Sequence, residues 1–291
     1  MSTTDRRGFL KSAGAALAVA SIPGKARAVE GGASPWKKAF MLGGVRSGTI
    51  LPHFEKLKEA GFQGVELISP NEFDRAEVLR ARDQTGLVVH GVSGARHWQD
   101  TLSDPDPKVV ERGLAAIRQE MEDAKAYGGT TVLVVPAVVT PTVSYRDAYT
   151  RSQAAIKTLI PDAEKHGVKI AIEEVWNKFL LSPVEFARYV DEFKSPWVGA
   201  YFDVGNVVEY GFPQEWIREL GKRILKIHIK EYKKEKRFDY ALGEGEINWP
   251  EVTRALHDVG YDGWITAEVG YGNLDALKDV VRRMDQVLGT A

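Results

Sequence analysis

From Lys38 onward this chain alternates, eight times over, a short β-branched apolar run with a longer segment of helical periodicity. The runs fall at 38–42, 64–68, 87–92, 131–135, 169–173, 198–203, 224–230 and 263–268. The helical segments fall at 50–60, 72–84, 107–127, 145–165, 183–193, 214–220, 249–258 and 275–287. In the third of these, Val110, Leu114, Ile117 and Met121 recur at spacings of three and four, the signature of one buried helix face. Runs that are apolar without strict alternation suit strands covered on both faces, as parallel strands are. A doubly wound open sheet shares this rhythm, but eight pairs in about 250 residues match the count and size of a closed barrel. No Gly-x-Gly-x-x-Gly follows an early strand, and Gly243-Glu244-Gly245 is a lone Gly-x-Gly in a late loop. A dinucleotide fold therefore lacks its main signal. No linker, repeat or low-complexity stretch breaks the series. The pattern predicts a single α/β domain, a (β/α)8 TIM barrel over 37–291.

Residues 1–28 stand outside that pattern. They hold Arg6, Arg7, Lys11, Lys25 and Arg27 against one acid, Asp5, then an apolar stretch over 13–20, and they end Ala26-Arg27-Ala28. A basic start, a short apolar core and a small-x-small site make an export signal, too short to span a bilayer as a stable anchor. The stretch Asp5-Arg6-Arg7-Gly8-Phe9-Leu10-Lys11 resembles the twin-arginine export signal, although an ordinary Sec signal or an uncleaved anchor shares the outline. The expectation is a periplasmic or secreted protein with a short linker over 29–36 and, after signal cleavage, no membrane anchor.

Composition limits the chemistry further. The chain of 291 residues has no cysteine, which excludes a thiolate nucleophile, a zinc finger and an iron–sulfur cluster. Any metal site must use carboxylates, His, carbonyls and water. The formal net charge is −1, and it falls to −5 once the five basic residues and one acid of 1–28 are removed. Neither value favours a nucleic-acid backbone as partner.

In such barrels the chemistry sits at the carboxyl ends of the strands. Four consecutive runs end in a metal-ligand type: Glu173, Asp203, His228 and Glu268. A carboxylate at the end of a buried strand is costly unless paired or coordinated. Singly, each has a plainer reading: Asp203 before Val204-Gly205-Asn206 suits a turn cap, and His228 suits a satisfied core histidine. Jointly, on four adjacent strands, they form an oxygen-rich set with one nitrogen, suited to Mn²⁺, Mg²⁺ or Co²⁺, with Zn²⁺ admissible. Glu174 competes with Glu173, and strand alternation lets only one face inward.

These residues carry a resemblance. Ile172-Glu173-Glu174-Val175-Trp176-Asn177, Phe202-Asp203-Val204-Gly205-Asn206, Ile227-His228-Ile229-Lys230-Glu231 and Ala267-Glu268-Val269 resemble the four metal-site motifs of the xylose isomerase-like barrel superfamily, that is, the sugar phosphate isomerase/epimerase family. The segments 61–67 and 242–249 resemble that family's second-strand motif and the loop after its seventh strand. The resemblance implies that Glu173, Asp203, His228 and Glu268 bind one divalent cation and that Glu173 and Glu268 flank the substrate as its acid/base pair. One departure is Asn206, where family epimerases usually carry a His; an amide can bond a sugar hydroxyl but cannot shuttle protons.

Two carboxylates around a metal suit proton transfer at a carbon next to a carbonyl, through an enediolate. Return of the proton to the other face is epimerisation; return to the neighbouring carbon is isomerisation; loss of a β-hydroxyl is dehydration. The partner expected is a small sugar or keto-sugar, free rather than phosphorylated if export holds. Homo-oligomerisation stays open. Substrate contacts are expected from inward Glu66, His90 and Lys230 and from loop residues His97, Trp98 and Trp176, with Asn206 at a hydroxyl. The alternatives are a metal-dependent sugar dehydratase or lyase of the same fold, and a barrel that binds sugar without turning it over. An apurinic-site endonuclease of the same superfamily is disfavoured, because only six His are present and the charge opposes DNA.

Overall fold

A computed structural model describes residues 35–290. The segment expected to be an export signal lies outside the described residues, as does most of the expected linker. Among the described residues no helix is long and apolar enough to cross a membrane. Eight strands run β1 (Lys37–Leu42), β2 (Gly64–Ser69), β3 (Val88–Gly94), β4 (Thr131–Val134), β5 (Lys169–Glu173), β6 (Val198–Asp203), β7 (Ile224–Ile229) and β8 (Trp264–Ala267). Helices follow them in turn: α1 (Leu51–Ala60), α2 (Arg75–Thr85), α3 (Pro107–Tyr127), α4 (Tyr145–His166), α5 (Pro183–Asp191), α6 (Pro213–Leu220), α7 (Trp249–Asp258) and α8 (Leu274–Leu288). All strand pairs are parallel and in sequence order, and β1 pairs with β8 to close the barrel.

Local chemistry sets the helix ends. Asp74, Asp106, Ser144, Ser182, Asn248 and Asn273 each accept a backbone N–H of the first turn with their side chains. The cap explains one boundary: α2 starts at Arg75, after Asp74, rather than at 72 as expected. Gly61, Gly86, Gly128, Gly167 and Gly289 close five helices in the left-handed conformation.

The two faces of the strands differ more than the sequence suggested. Outward residues such as Phe40, Val65, Leu67, Val132, Ile170, Ile172, Phe202, Ile227 and Ile265 belong to one large apolar cluster shared with the helices. The barrel interior holds only a small apolar cluster of Leu133, Val135, Ala171 and Tyr201. Polar residues share that interior: Glu66, His90, Lys226, His228 and Thr266 are all buried there and joined by side-chain contacts. The floor is filled by Trp264, which lies so close to Gly64 that a Cβ there would meet its ring at 2.4 Å.

Candidate metal and acid/base site

The four strand-end residues converge at the carboxyl mouth of the barrel. One ligand atom from each of Glu173, Asp203, His228 and Glu268 lies within 4.8 Å of the others. The adjacency follows from register, since Asp203 pairs with His228 across β6 and β7, and Glu173 pairs with Tyr201 across β5 and β6. His228 Nδ1 is 2.9 Å from Glu173 Oε1 and 3.7 Å from Glu268 Oε2. Lys230 Nζ donates to Glu268 Oε2 at 2.5 Å and stands 3.1 Å from Asp203 Oδ2.

Asp203 combines the two readings its sequence context allowed. Its Oδ1 accepts the backbone N–H groups of Gly205 at 2.7 Å and Asn206 at 2.8 Å, as a turn cap would. That fixes the carboxylate and turns Oδ2 into the cluster. The turn needs Gly205, because a Cβ there would stand 2.6 Å from Lys230 Cγ and 2.9 Å from its carbonyl oxygen. Asp203 Oδ2 is buried and receives no directed hydrogen bond despite the nearby ammonium. A buried carboxylate oxygen whose near neighbours are two further carboxylates, an imidazole and one ammonium shared with Glu268 is a donor set that a hard divalent cation would complete. The donor set therefore fits the expected metal.

Glu173 and Glu174 divide as alternation requires. Glu173 faces the cluster, whereas Glu174 turns away and accepts the backbone N–H of Asp203 at 2.9 Å. Burial, then the charges of Glu173 and Asp203, push the Glu174 carboxyl well above the usual range. The two glutamates of the pair are pushed apart. Burial raises Glu173 to about 7 against the opposing pull of His228. Burial would raise Glu268 too, but Lys230 and His228 outweigh it and bring it down to about 2. Asp203 is raised to about 6 by burial, partly offset by Lys230. Two carboxylates facing one site with opposite tendencies are suited to opposite roles in proton transfer.

A cavity of about 380 Å³ opens over the cluster. Glu173, Glu268, Lys230, Asn206, Trp176, His97 and Trp98 are among the residues that line it. Burial lowers the pKa of His97, partly offset by a hydrogen bond with the Gly94 backbone. Trp98 is exposed, and Trp176 packs against Phe238 and Tyr232 while donating Nε1–H to the Asn206 carbonyl. The Asn206 amide donates to the Glu174 carbonyl at 2.9 Å.

Glu66 and His90 are placed differently from expectation. Both face inward, but they are buried beneath the cluster and do not line the cavity. Position on a strand gives the side a residue faces but not its depth, and these two lie below the residues that line the cavity. Lys230 lines the cavity, yet its ammonium is engaged by Asp203 and Glu268. Sequence reasoning missed Arg46 and Phe238, which also line the cavity, because both come from loops without periodicity. It missed Glu231 as well. That buried carboxylate accepts N–H donors from Tyr232, Gly243, Ile247 and Trp249 Nε1, and so pins the loop between β7 and α7. The visible signal was a charged residue directly before an irregular Gly-rich loop.

A closed parallel barrel with three carboxylates and a histidine gathered at the ends of its fifth to eighth strands defines a class of rim-site barrel. The chain belongs to the xylose isomerase-like TIM barrel family, whose description it matches over residues 54–287. It is 30% identical to a 2-oxo-tetronate isomerase of Pectobacterium atrosepticum, covering 75% of this chain and 86% of that one. It is 25% identical to a ketose 3-epimerase of Arthrobacter globiformis, covering 80% of each. The structure of an L-ribulose 3-epimerase superposes with a TM-score of 0.75 at 20% identity, over 88% of this chain and 95% of that one, a likeness of fold. The relatives are thus sugar isomerases and epimerases.

Proposed function

We propose that this chain is a divalent-metal-dependent sugar isomerase or epimerase that moves a proton at a carbon next to a carbonyl. The observation that carries the reading is the convergence of Glu173 and Glu268, with Asp203 and His228, to within 4.8 Å beneath an open cavity. The names of the relatives support the substrate class, a small sugar or keto-sugar. Glu173, Asp203, His228 and Glu268 would hold the cation, Mn²⁺, Mg²⁺ or Co²⁺ by donor type, and Zn²⁺ remains compatible. When bound, the ion supplies positive charge beside the carbonyl and so favours the enediolate.

This chain's residues do the rest. One glutamate takes the proton from the carbon, and the same or the opposite glutamate returns it. Lys230 holds the Glu268 carboxylate ionised and fixes its orientation. The aromatic wall of Trp176 and Phe238 and the mouth residue Trp98 shield the apolar face of a sugar ring or chain. Asn206, with its amide committed to the Glu174 carbonyl, orients and does not shuttle protons.

The test is solvent exchange. In deuterated water with Mn²⁺, the protein should place deuterium on the carbon next to the carbonyl of a keto-sugar in a panel. Glu173→Gln and Glu268→Gln should each lower that rate by about 10²–10⁴-fold. Turnover that survives both changes would end the proposal. We also propose export through residues 1–28, supported by Arg6-Arg7 and the apolar stretch after them. Fused to a reporter, this segment should direct it out of the cytoplasm, and replacing both arginines by Lys should stop it.

A further inference from the structure

Glu66 is a carboxylate with no exposure at the centre of a barrel, and both of its oxygens are engaged. Oε1 stands 3.1 Å from His228 Nε2, and Oε2 accepts the Tyr201 hydroxyl. The Tyr201 ring also lies against the imidazole of His228, with centroids 4.3 Å apart and planes tilted by 48°. The other imidazole nitrogen, Nδ1, faces Glu173 and Glu268. His228 is therefore held edge-on, with one nitrogen toward the carboxylate cluster and the other toward Glu66. A polar column braces this arrangement from below. Tyr201 Oη is 3.4 Å from Thr266 Oγ1, Thr266 Oγ1 is 3.1 Å from His90 Nε2, and His90 Nδ1 is 3.3 Å from Lys226 Nζ. The His90 ring is stacked on Trp264 with centroids 4.9 Å apart, which closes the column at the floor.

We propose that Glu66, clamped by Tyr201, is a positioning residue for the cation site: it accepts the Nε2–H of His228 and keeps Nδ1 aimed at the cluster as a ligand. The inference rests on the metal reading above. A neutral imidazole that ligates through Nδ1 must carry its proton on Nε2. A carboxylate acceptor there selects that tautomer, fixes the ring and makes the ligating nitrogen more basic. A carboxylate buried this deep persists only where its partners need it or satisfy it. Here the partners of both oxygens converge on one imidazole: Nε2 directly, and the ring face through Tyr201.

The experiment compares Mn²⁺ affinity, by calorimetry on the full chain, for wild type, Glu66→Gln, Glu66→Leu and Tyr201→Phe. Loss of the acceptor in Glu66→Leu should weaken binding about 10–100-fold. Glu66→Gln, which keeps a carbonyl acceptor but no charge, should fall between it and wild type, as should Tyr201→Phe. The second readout is the ¹⁵N–¹H signal of His228 in the Zn²⁺-loaded protein. A proton on Nε2 should resonate far downfield in wild type and move upfield in Glu66→Gln. The near-isosteric Gln and Phe variants carry the test should Glu66→Leu not fold. Variants that lose thermal stability but bind Mn²⁺ as wild type does, with the His228 signal unmoved, would overturn the inference and leave the metal reading intact. A wild type with no affinity for Mn²⁺ or Zn²⁺ would remove the metal reading, and this inference with it.

Discussion

Burial decides, at the scale of single residues, which carboxylates keep their charge. Glu120 on α3 is 2% exposed, its Oε2 has no hydrogen-bond partner, and it borders a small cavity of about 20 Å³ beside Gly94, His97 and Asp100. Burial, with a smaller contribution from Asp123, holds its carboxyl well above the usual range. The sign follows from linkage. The unfolded chain ionises Glu120 near its ordinary pKa while the folded chain keeps it protonated, so its contribution is fully present below that value and is lost as pH rises toward the folded pKa. Glu120→Gln removes the ionisation, so the variant should gain on wild type in urea midpoint between pH 5 and pH 8. A gap that stays constant or narrows would show that Glu120 is charged in the fold. The same scale marks where sequence reading stops. Glu173, Asp203 and Glu268 were legible as a group because each ends an apolar run, and His228 because it interrupts one near its end. The depth of Glu66 and His90 was not legible, since both satisfy the same alternation as a rim residue.

Among the elements, strands and helices were legible to within three residues at each end, and the loops that make the cavity were not. The spans of α3, β5, β6 and α7 agree with the sequence pattern because capping Asp, Asn or Pro residues and changes of hydrophobic period coincide there. The loop between β7 and α7 has no period. Its shape comes from one buried carboxylate, Glu231, which binds Gly243 N at 2.7 Å and Trp249 Nε1 at 2.9 Å. Close approach is part of the device, since a Cβ on Gly245 would stand 2.3 Å from Glu231 Oε1. This loop carries Phe238 onto Trp176 and over Lys230, so its anchor governs one wall of the cavity. Glu231→Ala leaves several buried N–H donors unpaired, at about 1–3 kcal/mol for each group that water does not reach. The expected result is faster limited proteolysis within 232–248 and a higher KM, with the far-ultraviolet circular dichroism of the barrel retained. Unchanged proteolysis would show that the loop is held by something else.

For the molecule as a whole, the barrel is a scaffold whose outward faces carry the apolar packing and whose interior is spent on polar residues. Four strand ends bring three carboxylates and one imidazole within 4.8 Å, and Lys230 is the ammonium that offsets them. Such a cluster stores repulsion that added positive charge relieves. Cation binding should therefore stabilise the fold by mass action: Mn²⁺ at a hundred times its Kd adds about 2.7 kcal/mol. At about 2–4 °C per kcal/mol for a domain of this size, Tm should rise by about 5–10 °C and return on chelation. Lys230→Met sharpens the argument, because breaking one partner of a buried ion pair costs about 3–5 kcal/mol. The variant should melt well below wild type in chelator and recover more of the gap with Mn²⁺ than wild type gains, since the ion then supplies the charge that Lys230 gave. Differential scanning calorimetry with and without Mn²⁺ reads both numbers. A Lys230→Met protein whose Mn²⁺ shift is no larger than that of wild type would show that the ammonium does not offset the charge that the cation meets.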